Sequence, residues 1–340
     1  MDKVNARIQD VAAAADVSVA TVSRYFNAPE LLSGAARQRV RLEVERLHYV
    51  PQAAARALVL GQSRLVGAIV PTIENSLFSS MVSSFQERLK EEGYSVLLGL
   101  SEYSEAQEAT QISSVLGAGA EALLLIGSSR AEITYEKLKN SRKPFITALA
   151  YSKSNPYANC GFDQEEAISE VVEHLVRYGH RKFAFISGHL QPNDRAATRL
   201  SGAINSLGRH GLTLNDDCLV TTNYSIASGR AATARLLAGP RPTAIITGND
   251  LLAVGALLEC AARRIAVPRS LSVVGFGNLE IGREVSPSLT TVEAFYPDIG
   301  SCSADYLLGA LAGRKKIRKR IKLKTELLVR ESSGPAPNTG

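Results

Sequence analysis

The sequence predicts an N-terminal all-α helix-turn-helix head followed by an α/β body of two doubly wound parallel-sheet subdomains. Within residues 8–27, apolar residues recur at helical spacing on both sides of a polar break. From Leu65 onward, short apolar runs alternate with amphipathic segments, which is typical of parallel strands covered by helices on both faces. Around Asp163 the alternation starts again, so the body has two similar halves with a cleft between them.

The first two helices of the head surround a tight turn at Asp16. Their apolar positions, which share a spacing of three or four residues, are Ile8, Val11, Ala12, Ala15, Val22 and Phe26. Asp16 tolerates the left-handed backbone that such a turn needs, and Ser18 suits the N-cap of the second helix. The side of the second helix that this arrangement leaves exposed carries Val19, Ala20, Ser23 and Arg24.

A third helix and a short linker follow. Ser33 is the expected N-cap of the third helix, whose core positions are Val40, Val44 and Leu47. Four basic residues of this helix can reach solvent or phosphate: Arg37, Arg39, Arg41 and Arg46. Pro51 ends this unit. Residues 52–60 are rich in alanine and predict a helix too short to be stable alone in water, so this segment needs a partner.

The body divides into alternating elements. The candidate strands share a run of buried-type residues and cover 65–70, 95–100, 122–126, 144–149, 182–187, 243–247 and 271–276. The candidate helices fill the gaps near 76–92, 105–117, 164–178, 195–210, 226–238, 250–263 and 297–311. In parallel α/β sheets, ligands bind beyond the carboxyl ends of the strands, so a site is expected where the ends of both sheets face one cleft.

Composition limits the class of protein. The 340 residues are 45% apolar and 21% charged, and no apolar run approaches the ~20 residues of a membrane span. The first twenty residues lack the apolar core of a signal peptide, so we expect a cytoplasmic protein without a membrane partner. Cys160, Cys218, Cys260 and Cys302 have no metal-ligand spacing and are interpreted as reduced packing residues.

The basic pI of 9.1 has a local origin. Arg314–Lys324 holds eight Lys/Arg and no acid, more than the whole net charge of +6, whereas residues 1–64 hold nine Lys/Arg against six Asp/Glu. The pI is therefore poor support for DNA binding by the head. We interpret Arg314–Lys324 as a solvated edge strand or connection guarded by lysines, in preference to a second polyanion site.

Motifs in the head resemble a known family. They are Asp10-Val-Ala, Val17-Ser, Thr21-Val-Ser-Arg, Asn27 and Tyr49-x-Pro51. Their order and spacing resemble the N-terminal head of the LacI/GalR family of bacterial transcriptional regulators. Further marks in the body are Gly179-His-Arg, Arg199-x-x-Gly202, Asn249-Asp-x-x-Ala-x-Gly255, Ser272-x-x-Gly-Phe276 and Pro287-x-Leu-Thr-Thr291. From about Arg64 to Ser332 the body is similar to the periplasmic sugar-binding-protein fold that this family uses to sense effectors.

The resemblance implies a division of the chain. Residues 1–50 are the expected DNA-binding head and 51–62 the hinge helix with its linker. Residues 63–334 are the effector-binding and dimerisation core, and 335–340 a disordered tail without the heptads of a tetramerising helix. The implied partners are a near-palindromic double-stranded DNA operator, a small-molecule effector and a second copy of the chain.

The residues that the resemblance places at DNA lie in the head and the hinge. They are Ser18, Val19, Ala20, Thr21, Ser23, Arg24, Asn27, Ser33, Arg37, Tyr49, Gln52, Ala55 and Leu58. Arg24 is the candidate for reading guanine through two hydrogen bonds, with a phosphate contact as the alternative. Leu58 is the candidate for insertion into the minor groove, with packing of a linker helix on the body as the alternative.

The residues that the resemblance places at the effector lie in the body. They are Phe78, Asp163, Arg199, Tyr224, Asn249, Asp250, Gly277 and Glu293. Arg199 is expected to donate to hydroxyls or a carboxylate, with a salt bridge between subdomains as the alternative. Phe78 and Tyr224 are either walls of the ligand site or ordinary core residues.

One departure from the family suggests the chemistry of the effector. Many members carry Asp after the Gly-Phe/Tyr of the sixth-strand motif, where this chain has Gly277. The run Gly275-Phe-Gly-Asn-Leu-Glu-Ile281 is similar to the gluconate-type repressors of the family. Loss of a carboxylate beside Arg199 favours an anionic ligand, so we expect a sugar acid. Asp163, Asp250 and Glu293 would weaken this preference, and a neutral sugar is the alternative.

Other classes of function are less well supported. A sugar-binding transport receptor would share the body, but the head and the absence of a signal peptide argue against export. An enzyme is not expected, because phosphate-loop, nucleophile-elbow and metal-ligand motifs are absent from the sequence, and no cofactor is predicted. The sequence does not decide whether the effector releases the regulator from DNA or acts as a corepressor.

Overall fold

A computed structural model describes residues 6–50 and 61–337 of the chain. It separates the chain into two compact units, Met1–Ser63 and Arg64–Gly340. We call them the head and the body, and each is described by itself. The predicted hinge helix, with Gln52, Ala55 and Leu58, lies outside the described residues.

The head is a small helical unit, and its predicted turn is confirmed. Its α-helices are α1 (Ile8–Ala14), α2 (Val19–Asn27) and α3 (Gly34–Arg46). Asp16 has a φ of 50°, and the Ser18 hydroxyl accepts a hydrogen bond from the Thr21 N–H at 3.1 Å. Val11, Val22 and Val40, one from each helix, are fully buried and form the centre of the head core. This core fixes which face of α2 is left exposed.

The body contains two parallel sheets. The first has the strand order β11-β5-β4-β3-β1-β2 and consists of β1 (Leu65–Val70), β2 (Ser95–Leu100), β3 (Ala122–Ile126), β4 (Phe145–Ala148), β5 (Asn159–Gly161) and β11 (Arg320–Lys322). The second has the order β7-β6-β8-β9 and consists of β6 (Phe183–Gly188), β7 (Leu219–Thr222), β8 (Ala244–Thr247) and β9 (Ser272–Val274). The two sheets define an N-terminal and a C-terminal subdomain, as predicted.

Helices cover both sheets, and a small antiparallel pair connects the subdomains. The helices are α4 (Ser76–Glu91), α5 (Glu105–Gly117), α6 (Glu132–Ser141), α7 (Gln164–Arg177), α8 (Asp194–Arg209), α9 (Ile226–Ala238), α10 (Asp250–Ala262), α11 (Glu280–Glu284) and α12 (Tyr296–Leu311). β10 (Thr291–Glu293) pairs with β12 (Glu326–Leu328). The chain returns to the first sheet through β10 and leaves it again through β12.

Strands and helices with long apolar patterns agree with the prediction within one or two residues at each end. The elements that the sequence analysis missed are short or polar: β5, β7, β10, β12, α6 and α11. β5 reads Asn-Cys-Gly and has no apolar run, although all of it is buried between β4 and β11. Its extended conformation depends on tertiary pairing, which a local pattern does not contain.

The contact between α4 and α12 depends on a glycine, which gives a prediction. A Cβ on Gly300 would overlap the Met81 carbonyl oxygen and lie 3.0 Å from the Phe85 nitrogen, both in the backbone of α4. Gly300→Ala should therefore lower the free energy of unfolding by about 1–3 kcal/mol, measured by urea denaturation. In the matched variant Gly309→Ala, also in α12, the nearest atom is a side-chain carbon at 3.4 Å. That variant should be neutral or more stable, and equal losses in both would contradict the steric argument.

The late basic run and the C-terminal residues have defined places. Arg320–Lys322 forms β11, an exposed edge strand whose Lys322 pairs with Glu166, so the edge-strand interpretation is confirmed there.

The predicted disordered tail is wrong for residues 335–337, because the Ala336 N–H donates to the Tyr178 carbonyl at 2.8 Å. Just before it, Ser332 is fully buried, and its carbonyl accepts from the Val273 N–H in β9 at 2.8 Å.

The cysteines and the helix lengths agree with the composition. Cys160, Cys218, Cys260 and Cys302 are free thiols, and the first three are buried, as expected for packing residues. Within residues 6–50 and 61–337, none of the helices has the length and apolarity that crossing a bilayer requires.

Candidate DNA-binding surface and candidate ligand cavity

The N-cap and the exposed face of α2 carry four of the ten head residues predicted at DNA. Ser18, Val19, Ala20 and Arg24 are exposed, and the Arg24 guanidinium makes no hydrogen bond or ion pair with the described part of the chain. A free guanidinium on an exposed helix face is available for a base edge or a phosphate. The exposed face of α2 therefore begins with the apolar side chains of Val19 and Ala20 and continues with the cation of Arg24.

The other head residues predicted at DNA have local partners. Thr21 bonds the Ser18 hydroxyl at 2.9 Å, and the Asn27 amide donates to the Ser23 hydroxyl at 3.3 Å. The remaining three belong mainly to the scaffold of the head. Ser33 caps α3, the Arg37 guanidinium donates to the Pro29 carbonyl, and Tyr49 packs on Phe26 with ring centroids 5.9 Å apart.

In the body, a cavity lies where the carboxyl ends of both sheets meet. Its lining residues follow strands of the first and second sheets, and they are Asn75, Leu77, Phe78, Tyr103, Leu149, Phe162, Gln164, Asn193, Arg195, Arg199, Tyr224, Gly248, Asn249, Phe276 and Tyr296. This is the position that the strand topology predicts for a ligand.

Several helices begin at this cavity. Asn75, Asn193 and Asn249 cap α4, α8 and α10, since each side-chain oxygen accepts a hydrogen bond from the first turn of its own helix. Gln164 and Tyr296 are the first residues of α7 and α12. Helix N-termini carry partial positive charge, so their convergence makes the cavity favourable for negative charge.

Arg199 is a buried cation of the cavity without a carboxylate partner among the described residues. Its side chain stacks on Phe276 with 4.7 Å from Cζ to the ring centroid, Nη1 donates to Gln164 Oε1 at 2.5 Å, and Nη2 lies 3.5 Å from the Tyr224 hydroxyl. It pairs with no carboxylate in the described part of the chain, and its buried Nε has no hydrogen-bond partner there. The predicted alternative of an inter-subdomain salt bridge is wrong for this arrangement.

Aromatic side chains form the walls of the cavity. Phe78 lines it and also belongs to the hydrophobic core, so the two interpretations of this residue are both correct. Tyr103 and Tyr224 lie with ring centroids 6.4 Å apart, and burial raises the pKa of Tyr103 to about 12. The Tyr103 phenol therefore stays protonated at neutral pH and is available as a hydrogen-bond donor.

The acidic residues predicted at the effector do not line the cavity. Asp163 caps α7 with bonds to Glu165 and Glu166, and Glu293 accepts from the Asn278 amide at 2.5 Å. Asp250 is fully buried and accepts from the Leu279 N–H and the Thr291 hydroxyl, both at 2.6 Å. Each of the three carboxylates is thus held by hydrogen bonds within the fold. Gly277 also lies outside the lining, where an added Cβ would come within 2.9 Å of Leu77.

The structure adds cavity residues that the sequence did not single out. They include Asn75, Tyr103, Gln164, Asn193 and Arg195, beside the predicted Phe78, Arg199, Tyr224 and Asn249. The missed asparagines all stand at the start of a predicted helix after a strand. Because helix starts after parallel strands face the ligand edge of the sheet, this position was the available signal.

Burial of Asp250 gives a pH-dependent prediction. Loss of hydration raises its pKa to about 6, although hydrogen bonds from Thr291 and Leu279 oppose the shift. The pKa of an aspartate in the unfolded chain is about 3.9. Between about pH 4 and 6, Asp250 therefore holds a proton in the folded state that it releases in the unfolded state. The contribution of Asp250 to stability is therefore fully present below about pH 4 and is lost as the pH rises through 6.

The measurement compares wild type with Asp250→Asn by urea unfolding at a series of pH values. The difference in unfolding free energy, wild type minus variant, should fall between pH 4 and 6. Asparagine keeps the shape but does not titrate, so it removes this slope. Parallel curves for the two proteins would mean that Asp250 titrates normally in the folded state.

Comparison with known proteins agrees with both units. Residues 7–52 match the family model "Bacterial regulatory proteins, lacI family", and residues 172–333 match "Periplasmic binding protein-like domain". Catabolite control protein A of Priestia megaterium is 31% identical over 299 residues, which cover 88% of this chain and 90% of that protein.

Solved structures show the same architecture. The Lac repressor dimer bound to operator and the anti-inducer ONPF has a TM-score of 0.85 and 26% identity, covering 97% of this chain and 99% of that one. The transcription regulator GntR of Chromobacterium violaceum has a TM-score of 0.75 and 28% identity, covering 79% of this chain and 99% of that one. The predicted fold class is therefore confirmed.

A helix-turn-helix head joined to a two-subdomain body with a polar internal cavity defines a DNA-binding transcriptional regulator of the ligand-responsive class. The chain belongs to the LacI family of bacterial regulatory proteins, since its relative, its family matches and its fold all agree.

Proposed function

We propose that this chain is a homodimeric repressor that acts in the cytoplasm and whose affinity for a near-palindromic operator is controlled by a sugar acid. The observation that carries the ligand class is the charge of the cavity. Among the residues that line it, Arg195 and Arg199 are basic and none is Asp or Glu. Arg195 is paired with Asp194 at 2.9 Å, so the unbalanced positive charge is that of Arg199. The acids that would have weakened this reading, Asp163, Asp250 and Glu293, are held elsewhere by the fold.

Unused donors in the cavity support an anion. Arg199 Nε and Asn249 Nδ2 are buried and have no hydrogen-bond partner in the described residues, whereas Asn249 Oδ1 is occupied by the Leu252 N–H. A buried donor without a partner costs about 1–3 kcal/mol, and more when it is charged. A carboxylate accepts several hydrogen bonds at once and would remove both costs.

The rest of the lining suits a sugar backbone. The faces of Phe78, Tyr224 and Phe276 are flat and apolar, and the Tyr103 phenol and the asparagine amides offer directed polar groups. This combination binds polyhydroxylated molecules through their apolar and hydroxyl surfaces. An aldonate or ketoaldonate has the carboxylate and the hydroxyls that such a cavity would use. A neutral sugar would leave the charge of Arg199 without a counterion.

We extend the proposal to DNA through symmetry. A dimer places two copies of α2 on two half-sites, so that Val19, Ala20 and Arg24 of each copy face bases in the major groove. We assign the segment 51–62 as the hinge, with Gln52, Ala55 and Leu58 at the operator centre. The Lac repressor, which is similar over the whole chain, is a dimer bound to operator in its structure, which supports this arrangement.

The direction of control follows from differential affinity. A ligand shifts the regulator between two states only as far as it binds one of them more tightly. We propose that the sugar acid favours the state with low operator affinity, so that the ligand induces transcription. Corepression, in which the ligand favours the operator-bound state, is the alternative and is distinguished by the sign of the effect on operator affinity.

Two titrations test the proposal. Isothermal titration of the full chain against D-glucose, D-galactose, D-gluconate and D-galactonate should show binding of acids and not of neutral sugars. Binding of neutral sugars alone would overturn the ligand class.

Fluorescence anisotropy with duplexes from upstream of the protein's own gene should show preference for an inverted repeat over random DNA. Absence of any such preference would overturn specific operator recognition.

A further inference from the structure

We propose that Asp194 is a positioning residue that ties the two subdomains together beside the cavity and shares Arg195 with the ligand. The coupling to ligand rests on the proposed anionic effector, whereas the tie between subdomains does not. Asp194 is the first residue of α8, in the C-terminal subdomain. It was not among the residues that the sequence or the family resemblance pointed to.

One carboxylate oxygen of Asp194 reaches the other subdomain. Oδ2 accepts hydrogen bonds from the Ser128 N–H at 2.5 Å and the Ser129 N–H at 3.1 Å. Both serines follow β3 at the carboxyl edge of the first sheet. Two successive backbone N–H groups that converge on one oxygen form a small anion-binding nest. The contact therefore joins a side chain of one subdomain to the backbone of the other.

A glycine makes this close approach possible. Gly127 precedes the two serines with a φ of +72°, and a Cβ added there would overlap the Asp194 carboxylate and the Arg195 guanidinium. Only glycine combines this backbone conformation with the space that the pair occupies. The loop at residues 127–129 is thus shaped to receive the Asp194–Arg195 pair.

The second oxygen of Asp194 holds Arg195. Oδ1 accepts from the Arg195 backbone N–H and from its Nη1, both at 2.9 Å. The Arg195 side chain is only 9% exposed and lines the cavity. An anion in the cavity would compete with Oδ1 for this guanidinium, while Oδ2 remains on the loop. Binding of an anion in the cavity is therefore linked, through the Asp194 carboxylate, to the contact that holds the subdomains together.

Hydrogen exchange in the ligand-free full chain tests the tie directly. In wild type, the Ser128 and Ser129 amides should be protected, and in Asp194→Ala they should exchange at least ~10-fold faster because their acceptor is gone. The matched control is Asp298→Ala, which removes an exposed carboxylate from the first turn of α12 that has no hydrogen bond to the other subdomain among the described residues. Unprotected serine amides in wild type, or equal rates in both variants, would overturn the tie.

A milder variant separates this role from a loss of folding. Asp194→Asn keeps the volume and one acceptor oxygen but loses the charge, so exchange at the two serines should rise by a smaller factor. An unchanged thermal midpoint in the same variant would confirm that only the local contact is lost. Protection identical to wild type in Asp194→Asn and Asp194→Ala alike would contradict the proposal.

The coupling is tested with potassium D-gluconate as the probe and operator anisotropy as the readout. Asp194→Asn should reduce the gluconate-dependent change in operator dissociation constant at least ~5-fold, on the scale of allosteric coupling energies, while Asp298→Asn should not. An undiminished change in Asp194→Asn would overturn the coupling. If wild type shows no response to gluconate, the proposed effector fails, and the exchange experiment still decides the tie.

Discussion

Replacing Arg199 with methionine should lower the affinity of the protein for D-gluconate by about 30-fold or more. Methionine keeps the length and apolar surface that pack on Phe276, so the change mainly removes the charge and the donors. Truncating one member of a buried charge pair costs about 2–5 kcal/mol, which corresponds to roughly 30- to 5000-fold in affinity. Calorimetric titration of the full chain measures this loss.

Two further variants identify which property of Arg199 causes the loss of gluconate affinity. Arg199→Lys keeps the charge but not the fork of donors, so it should recover only part of the affinity. Arg209→Met, at the far end of the same helix, changes an arginine that bonds the Ser169 and Ser206 hydroxyls outside the cavity lining, and it should bind gluconate as wild type does. If gluconate bound equally well to wild type and Arg199→Met, the guanidinium would not be the anion contact.

Replacing Arg24 with alanine should reduce specific operator binding more than binding to random duplex. A bidentate contact to guanine contributes about 1–3 kcal/mol of discrimination, and a symmetric dimer makes the contact twice. The expected loss in operator affinity is therefore about 10-fold or more. The preference for the base pair that Arg24 reads should also become weaker in each half-site. Competition between single-base operator variants in an anisotropy assay measures both effects.

Arg41→Ala is the matched control for Arg24→Ala. Arg41 is exposed on α3 and is a candidate phosphate contact, so its loss should weaken all duplexes alike and reduce the salt dependence by about one phosphate contact. If Arg24→Ala behaved in the same way, with uniform weakening and unchanged base preference, Arg24 would be a phosphate contact. That outcome would leave specificity to Val19 and Ala20 or to the hinge.

Elements with long apolar patterns could be predicted from the sequence because a strand that is buried in a sheet consists of consecutive apolar residues. β3 reads Ala-Leu-Leu-Leu-Ile and is fully buried, so its pattern and its environment agree. β5 and α6 could not be predicted in this way, because β5 owes its extended form to neighbours distant in sequence and α6 is largely polar. Their conformations are decided by tertiary contacts.

The candidate site was predictable where a residue type and its position in the fold coincide. Arg199 and Asn249 fulfil both conditions, and they line the cavity. Asp250 follows Asn249 directly, but one step along a helix turns the side chain by about 100°, here into the protein interior. A motif of adjacent polar residues therefore does not show which of them faces the ligand. Arg195 and Tyr103 were missed because no motif of the family pointed to them.

The burial of Ser332 affects how the body is assembled during synthesis. Ser332 extends the hydrogen bonding of β9, while the Gly334 carbonyl accepts a hydrogen bond from the buried His180. The second sheet is thus completed by a segment that is translated long after its strands. Nascent body chains remain unfinished until residues 332–334 have left the ribosome, and until then the edge of β9 is open to wrong pairing.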